Sequence, residues 1–176
     1  MPLTQEQLSD KLVAIAKKEV GTRESGGNNR GQRIEVYQQS TWLAPGPWPW
    51  CAAFTAWVLR EWLNDPDVRA TLKLSDTASV ERWRCLDASA FGWEKWAKAK
   101  KLKVLTEKDL ARRGDFVVFD FSHIGIVAAD QKKITDKIET IEGNTNNKGQ
   151  RDSTSGDGVW EKQRAASLVK SYIRIL

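Results

Sequence analysis

One histidine, two cysteines and nine tryptophans bound the chemistry open to this chain of 176 residues. A single imidazole excludes two- and three-histidine zinc sites, and two cysteines far apart make no zinc knuckle. Cys51 directly follows the proline-rigid run Pro45-Gly46-Pro47-Trp48-Pro49-Trp50 and opens a predicted helix. Unpaired amides and the helix dipole at that end favour negative charge, so a thiolate there is stabilised and nucleophilic. Cys85 lies mid-helix by pattern, with no turn before it, and reads as a buried apolar side chain. A Cys51–Cys85 disulfide is disfavoured without a secretory route. His123 begins a predicted strand straight after another strand, which puts its side chain at a sheet rim. A cysteine at a helix start and a histidine on a sheet form the nucleophile–base pair of cysteine hydrolases. Orienting the imidazole needs an acid or an amide. Glu142 and Asn144 lie two residues apart and share a face if their strand runs through Gly143. Each residue also has a plainer reading: Cys51 as a small buried hydrophobe, His123 as a satisfied half-buried histidine, Glu142 as a solvated strand end, Asn144 as a turn residue.

The elements that must position these groups follow from pattern. Thr4 to Val20 reads as a helix, with Thr4-Gln5-Glu6-Gln7 as a capping box, Leu8, Leu12 and Ile15 as its apolar stripe and Gly21 as its stop. Gly26 to Gly31 is a loop, and Arg33 to Gln39 a short helix. Cys51 to Asn64 is helical, with Phe54, Val58 and Trp62 at i, i+4, i+8, and Asp65-Pro66 ends it. Ala78 to Lys101 is helical with a break near Gly92. Asp115–Phe121, His123–Ala129, Lys137–Ile141 and Ser171–Leu176 read as strands, and Asn144 to Gly158 as a polar loop. Helices first and an antiparallel meander after them predict an α+β fold, a sheet of about 4–6 strands with the N-terminal helices packed on it.

Length predicts one domain over 1–176, and no apolar stretch approaches the roughly 20 residues of a membrane helix. Met1 to Asp10 has no charged segment followed by an apolar one, so no secretory signal is read there. The net charge of +5 lies wholly in the second half: residues 1–88 hold 11 basic and 11 acidic groups, residues 89–176 hold 17 and 12. Eight basic residues crowd Lys95 to Arg113. The plain reading is a solvated face. The functional one is attraction to an anionic polymer, and no nucleic-acid motif accompanies the charge.

Four blocks carry a family resemblance: Pro49-Trp50-Cys51-Ala52-Ala53-Phe54, Arg113-Gly114-Asp115, His123-Ile124-Gly125-Ile126-Val127 and Ile141-Glu142-Gly143-Asn144-Thr145. In order and spacing (72 residues from Cys51 to His123, 19 more to Glu142) they resemble the CHAP family, cysteine, histidine-dependent amidohydrolases/peptidases of the papain-like superfamily. Glu24 to Gly31 and Gly156 to Val159 are similar to recurrent segments of such domains. The resemblance implies a papain-like fold, Cys51 as nucleophile, His123 as general base, and Glu142 orienting it with Asn144 in support. It implies a bacterial peptidoglycan substrate, cut at an amide. Some members carry an Asp-rich calcium loop; Glu24 to Gly31 has one carboxylate, so neither calcium nor another cofactor is expected.

The implied chemistry is acyl transfer, with the oxyanion held by backbone amides at the helix start. A further donor is sought near Asn28, Asn29 or Tyr37. Trp48 and Trp50, flanking the nucleophile, read either as groove walls or as packing, while Trp57 and Trp62 read as core. Asn29, Tyr37, Trp48 and Trp50 thus form the expected substrate-binding set. The expected setting is a monomer made in the cytoplasm without a signal peptide and acting in the periplasm or cell wall. It would serve as a phage endolysin or as an effector of a system such as type VI secretion, with an immunity protein as partner in the second case. The alternative is a catalytically silent wall-binding or structural module on the same fold.

Overall fold

In the computed structural model the described residues are 1–147 and 156–175. The Thr4 hydroxyl accepts the Gln7 amide, and the Gln7 side chain accepts the Thr4 amide in return. That reciprocal cap starts α1 (Gln5–Lys18), and Lys17 and Lys18 sit favourably at its negative end. The chain passes through α2 (Gln32–Gln38) and the proline-rich loop into α3 (Cys51–Leu63). Every residue from Cys51 to Leu59 is buried, as a helix apolar all round must be. Asp65-Pro66 ends α3 and also begins α4 (Pro66–Thr71), because the Asp65 carboxylate accepts the amides of Asp67 and Val68.

The expected helix Ala78–Lys101 is instead α5 (Thr77–Trp83) and α6 (Gly92–Ala99). The break precedes Gly92: the Asp87 carboxylate binds the amide and hydroxyl of Ser89, a local turn that competes with the helix. Cys85 falls in this irregular stretch, not mid-helix.

Six strands follow: β1 (Lys103–Leu105), β2 (Phe116–Phe119), β3 (His123–Val127), β4 (Ile138–Thr145), β5 (Gly158–Arg164) and β6 (Val169–Arg174). They form one antiparallel sheet in the order β1-β6-β2-β3-β4-β5. The α+β expectation holds at this level. The meander is interrupted, since β6 returns to lie between β1 and β2. Sequence pattern missed α4, β1 and β5, and β4 runs on through Gly143 to Thr145. Of the expected loop Asn144–Gly158, positions 148–155 lie outside the described residues, as does Leu176 of the expected last strand.

The sheet has two dissimilar faces. Phe116, Val118, Ile124, Ile126 and Ile141 pack against α1, α3 and α6 in the main core, together with Trp57 and Trp62. Val117, Phe119, Val127, Ile138 and Tyr172 form a smaller cluster on the other face. The period-2 alternation of Phe116-Val117-Val118-Phe119 is thus buried on both sides. No helix among the described residues is long and apolar enough to cross a membrane.

Candidate active site

Cys51 is the first residue of α3, and its cap residue Trp50 contributes no side-chain hydrogen bond. The first-turn amides therefore lack a side-chain cap, and that of Ala52 donates to the Cys51 thiol. A second donor comes from the sheet, the amide of Ile124. It points at Cys51 because β3 and β4 are laddered only at Ile126–Ile141 and Val127–Thr140. Beyond those pairs the end of β3 serves the helix start instead.

His123 opens β3 on the face away from the helices, in line with Gly125 and Val127. It is fully buried. Its ring stacks on Phe121 at 5.6 Å and 11° and on Phe119 at 6.0 Å and 21°, which fixes the imidazole plane. Nε2 lies 2.7 Å from Glu142 Oε1, a close but not linear charge pairing. Glu142 reaches across β3 because the residue opposite it in the continued register is Gly125. A Cβ there would lie 2.5 Å from Glu142 Cγ. Gly143 is constrained likewise, since its Cβ would fall 2.5 Å from that of Phe54.

These contacts set the acidities. Burial alone would raise the Cys51 thiol, and the facing His123 cation, helped by the Ile124 and Ala52 amides, brings it below its ordinary value. Burial would lower His123, but Cys51 and Glu142 hold it up at about 9. Burial would raise Glu142, but His123 and Arg164 hold it down at about 2. All three shifts run in the direction that favours a thiolate–imidazolium pair backed by a carboxylate, the protonation state a cysteine nucleophile needs.

Sequence pattern missed Arg164. It is fully buried at the end of β5 and binds Glu142 through a fork: Nε lies 2.9 Å from Oε2, and Nη2 3.0 Å from Oε1. The Thr140 hydroxyl donates to Glu142 Oε2 at 2.8 Å. Alternating residues in Gly158–Arg164 hold a strand signal, but the charges in it masked the pairing with β4.

Asn144 departs from its expected place. A register shift between Glu142 and Thr145 and a left-handed φ of 54° at Asn144 break the shared face. Thr145 takes that place, its hydroxyl accepting from Arg164 Nη2, the nitrogen that also binds Glu142. No hydrogen bond joins Asn144 to His123 among the described residues. The Asn144 side chain instead lines a groove of about 680 Å³ together with Cys51, Trp42, Leu43, Trp48, Phe121 and Ser122.

Trp48 is therefore a groove wall. Trp50, Tyr37 and Asn29 are not. Trp50 is fully buried, stacked on Tyr37 at 5.7 Å, with its indole N–H donated to Glu24. Tyr37 is fully buried, and its hydroxyl donates to Glu19. Asn29 is buried in the loop before α2. Loop position suggested exposure for Trp50, but α2 and Glu24 supply a pocket and a partner that local pattern does not reveal. Exposed Trp42 and Leu43 take the rim instead.

The two cysteines are free. Lys95, Lys98, Lys101, Lys103, Lys108 and Arg112 are exposed, a solvated face. Lys95 and Lys98 border a hollow that shares Asp87 and Ser89 with the groove. Among the described residues no group of three or more His, Cys, Asp or Glu side chains could hold a metal ion.

Fold and site together define an α+β protein with a buried Cys–His–Glu constellation at the floor of a groove. Comparison with protein-family models and with curated proteins finds no match for the chain.

Proposed function

We propose that this protein is a cysteine hydrolase that cuts an amide bond of bacterial peptidoglycan, as an endopeptidase or as an N-acetylmuramoyl-L-alanine amidase. The observation that carries the reading is the Cys51–His123–Glu142 line, poised as thiolate, imidazolium and carboxylate beneath an open groove. The substrate class rests on the resemblance of the sequence blocks around these residues to the CHAP family, and the α+β architecture is compatible with the papain-like fold of that family.

The Cys51 thiolate attacks the amide carbonyl, and the carbonyl electron pair moves to oxygen. First-turn amides of α3 are the available donors for that oxyanion. His123 gives its proton to the departing amine as the tetrahedral intermediate collapses to a thioester. Neutral His123 then takes a proton from water, the hydroxide attacks the thioester, and Cys51 leaves again as thiolate beside imidazolium. The products are a carboxylic acid and an amine, and no cofactor is required. Glu142 remains an anion throughout, matching each imidazolium state. Trp42 and Trp48 offer flat apolar walls to a glycopeptide. Delivery to the wall, as a phage endolysin or as a secreted effector paired with an immunity protein, is part of the same proposal.

Mass spectrometry of defined peptidoglycan treated with purified protein tests the reading. The expected products carry one new amine and one new carboxyl terminus, and the Cys51→Ala protein forms none. New sugar reducing ends without amide cleavage overturn it. So does equal fragment release by Cys51→Ala, and no release at all points to the silent module.

A further inference from the structure

The fork between Arg164 and Glu142 is the strongest unexplained feature of the site. A fully buried arginine is costly, because its charge leaves water and must be matched by well-placed partners. Arg164 lies on β5, one strand beyond Glu142 on β4, and places Nε and Nη2 on the two oxygens of one carboxylate, with Nη2 also on the Thr145 hydroxyl. Its guanidinium stacks 5.5 Å from the Phe119 ring and 5.4 Å from the Phe121 ring. Those are the two rings on which the His123 imidazole stacks. Arg164 thus grips both things that orient the imidazole, the carboxylate and the stacked rings. Among the described residues the charged groups facing Glu142 are His123 from β3 and Arg164 from β5. Those facing His123 are Cys51 from α3 and Glu142 from β4.

We propose that Arg164 is a positioning residue for the hydrolytic reaction, holding Glu142 in one orientation and as a permanent anion while His123 alternates between imidazolium and imidazole. The inference rests on the reading of Cys51 and His123 as nucleophile and base. Its physical basis is the cycle itself. Each time His123 gives its proton to the departing amine, Glu142 loses its cationic neighbour inside a desolvated site. An isolated buried carboxylate would then take up a proton or turn away. Arg164 supplies a second cation in a fixed fork, so the carboxylate is still charged and still aimed when the proton returns. A lysine at this position would supply the charge but not the planar fork.

Two readouts that need no peptidoglycan test this. The first is the pH dependence of iodoacetamide alkylation at Cys51, followed by peptide mass spectrometry so that Cys85 is read separately. The second is the NMR titration of the imidazole, unambiguous because the chain has one histidine. In Arg164→Met the alkylation rate at pH 7 is expected to fall at least tenfold, and the His123 midpoint to move down as its counter-ion is lost. Arg164→Lys should fall between that variant and the wild type. A folded Arg164→Met protein with the wild-type alkylation profile and His123 titration overturns the proposal, as does an unchanged Arg164→Lys. Should neither variant fold, the wild type decides: the Arg164 Nε–H resonance is expected downfield, slowly exchanging and shifting as His123 titrates. A resonance insensitive to that titration refutes the coupling. Wild-type protein that behaves as expected but releases no peptidoglycan fragments would remove the substrate reading and leave Arg164 in its role.

Discussion

Cys51 and Cys85 are both buried free thiols, 7% and 1% exposed, yet their acidities move in opposite directions. For both, burial is the largest influence and acts upward. At Cys85 it prevails and pushes the thiol up to about 12, because the Asp87 carboxylate adds to it and only Arg84 and one backbone donor oppose it. The Arg84 guanidinium is itself engaged with Glu81 and the Ser40 carbonyl. At Cys51 the buried His123 cation and two backbone amides reverse the sign. Burial thus makes a thiol inert or reactive according to the charge buried with it. A low local dielectric strengthens the opposite charge as surely as it penalises an isolated one.

The largest expected effect separates the two thiols by function. Cys51→Ala should lower hydrolysis by about 10⁴-fold or more, since groups of such a unit act together. Cys85→Ala should leave kcat/KM within about twofold and cost roughly 1 kcal/mol of stability as a small cavity. Equal losses from both substitutions would break the comparison. Next, iodoacetamide at pH 7 should alkylate Cys51 about 100-fold faster than Cys85, because only the thiolate reacts. Peptide mass spectrometry over time measures the ratio. Gly125→Ala sharpens the same contrast. Its new methyl must displace Glu142, so alkylation at Cys51 and kcat should fall roughly tenfold while Cys85 is unaffected.

Stability against pH is a smaller signature of the site. Glu142, held down at about 2 from an ordinary 4.5, adds stability present above pH 4.5 and lost as the pH falls toward 2. His123, held up at about 9 from 6.5, adds stability present below 6.5 and lost as the pH rises through 9. Cys51, lowered from 9.0, has the opposite slope: its stability is present above pH 9 and is lost as the pH falls through its lowered pKa. The two slopes oppose each other below pH 9, so the site's alkaline limb should be shallower than His123 alone would give. Denaturant midpoints at pH 3, 5, 7 and 9 check this, and Glu142→Gln should have a shallower acid limb than the wild type. The smallest effect is at the rim. Trp42→Ala should raise KM about two- to fivefold and leave alkylation of Cys51 unchanged, because the indole lines the groove without touching the ion pair.

The legible part of the site is its local part. Cys51 opens its helix where the proline-rich loop ends, and His123 opens its strand, because both boundaries follow from chain-local stops and starts. The carboxylate partner was legible too, since β4 passes through Gly143. Asn144 was misplaced because a bulge depends on the partner strand: alternation predicts a shared face, and the β4–β5 register removes it. Trp50 was misread for the same kind of reason, a loop residue buried by Tyr37 and Glu24 from distant parts of the chain. Arg164 had no local signature at all. Nothing in Gly158–Arg164 announces that its last residue pairs with a carboxylate 22 positions earlier.

By itself the sequence determined the α+β order of elements, the helix that presents Cys51, the strand that presents His123 and the identity of the carboxylate between the blocks, because propensity, capping and alternation act over a few residues. Tertiary structure alone decided the direction in which the thiol's acidity moves, the wall of the groove and the fork that anchors Glu142. Those depend on which groups share a water-free space, and neighbours brought together by strand pairing and helix packing are set by the whole chain at once.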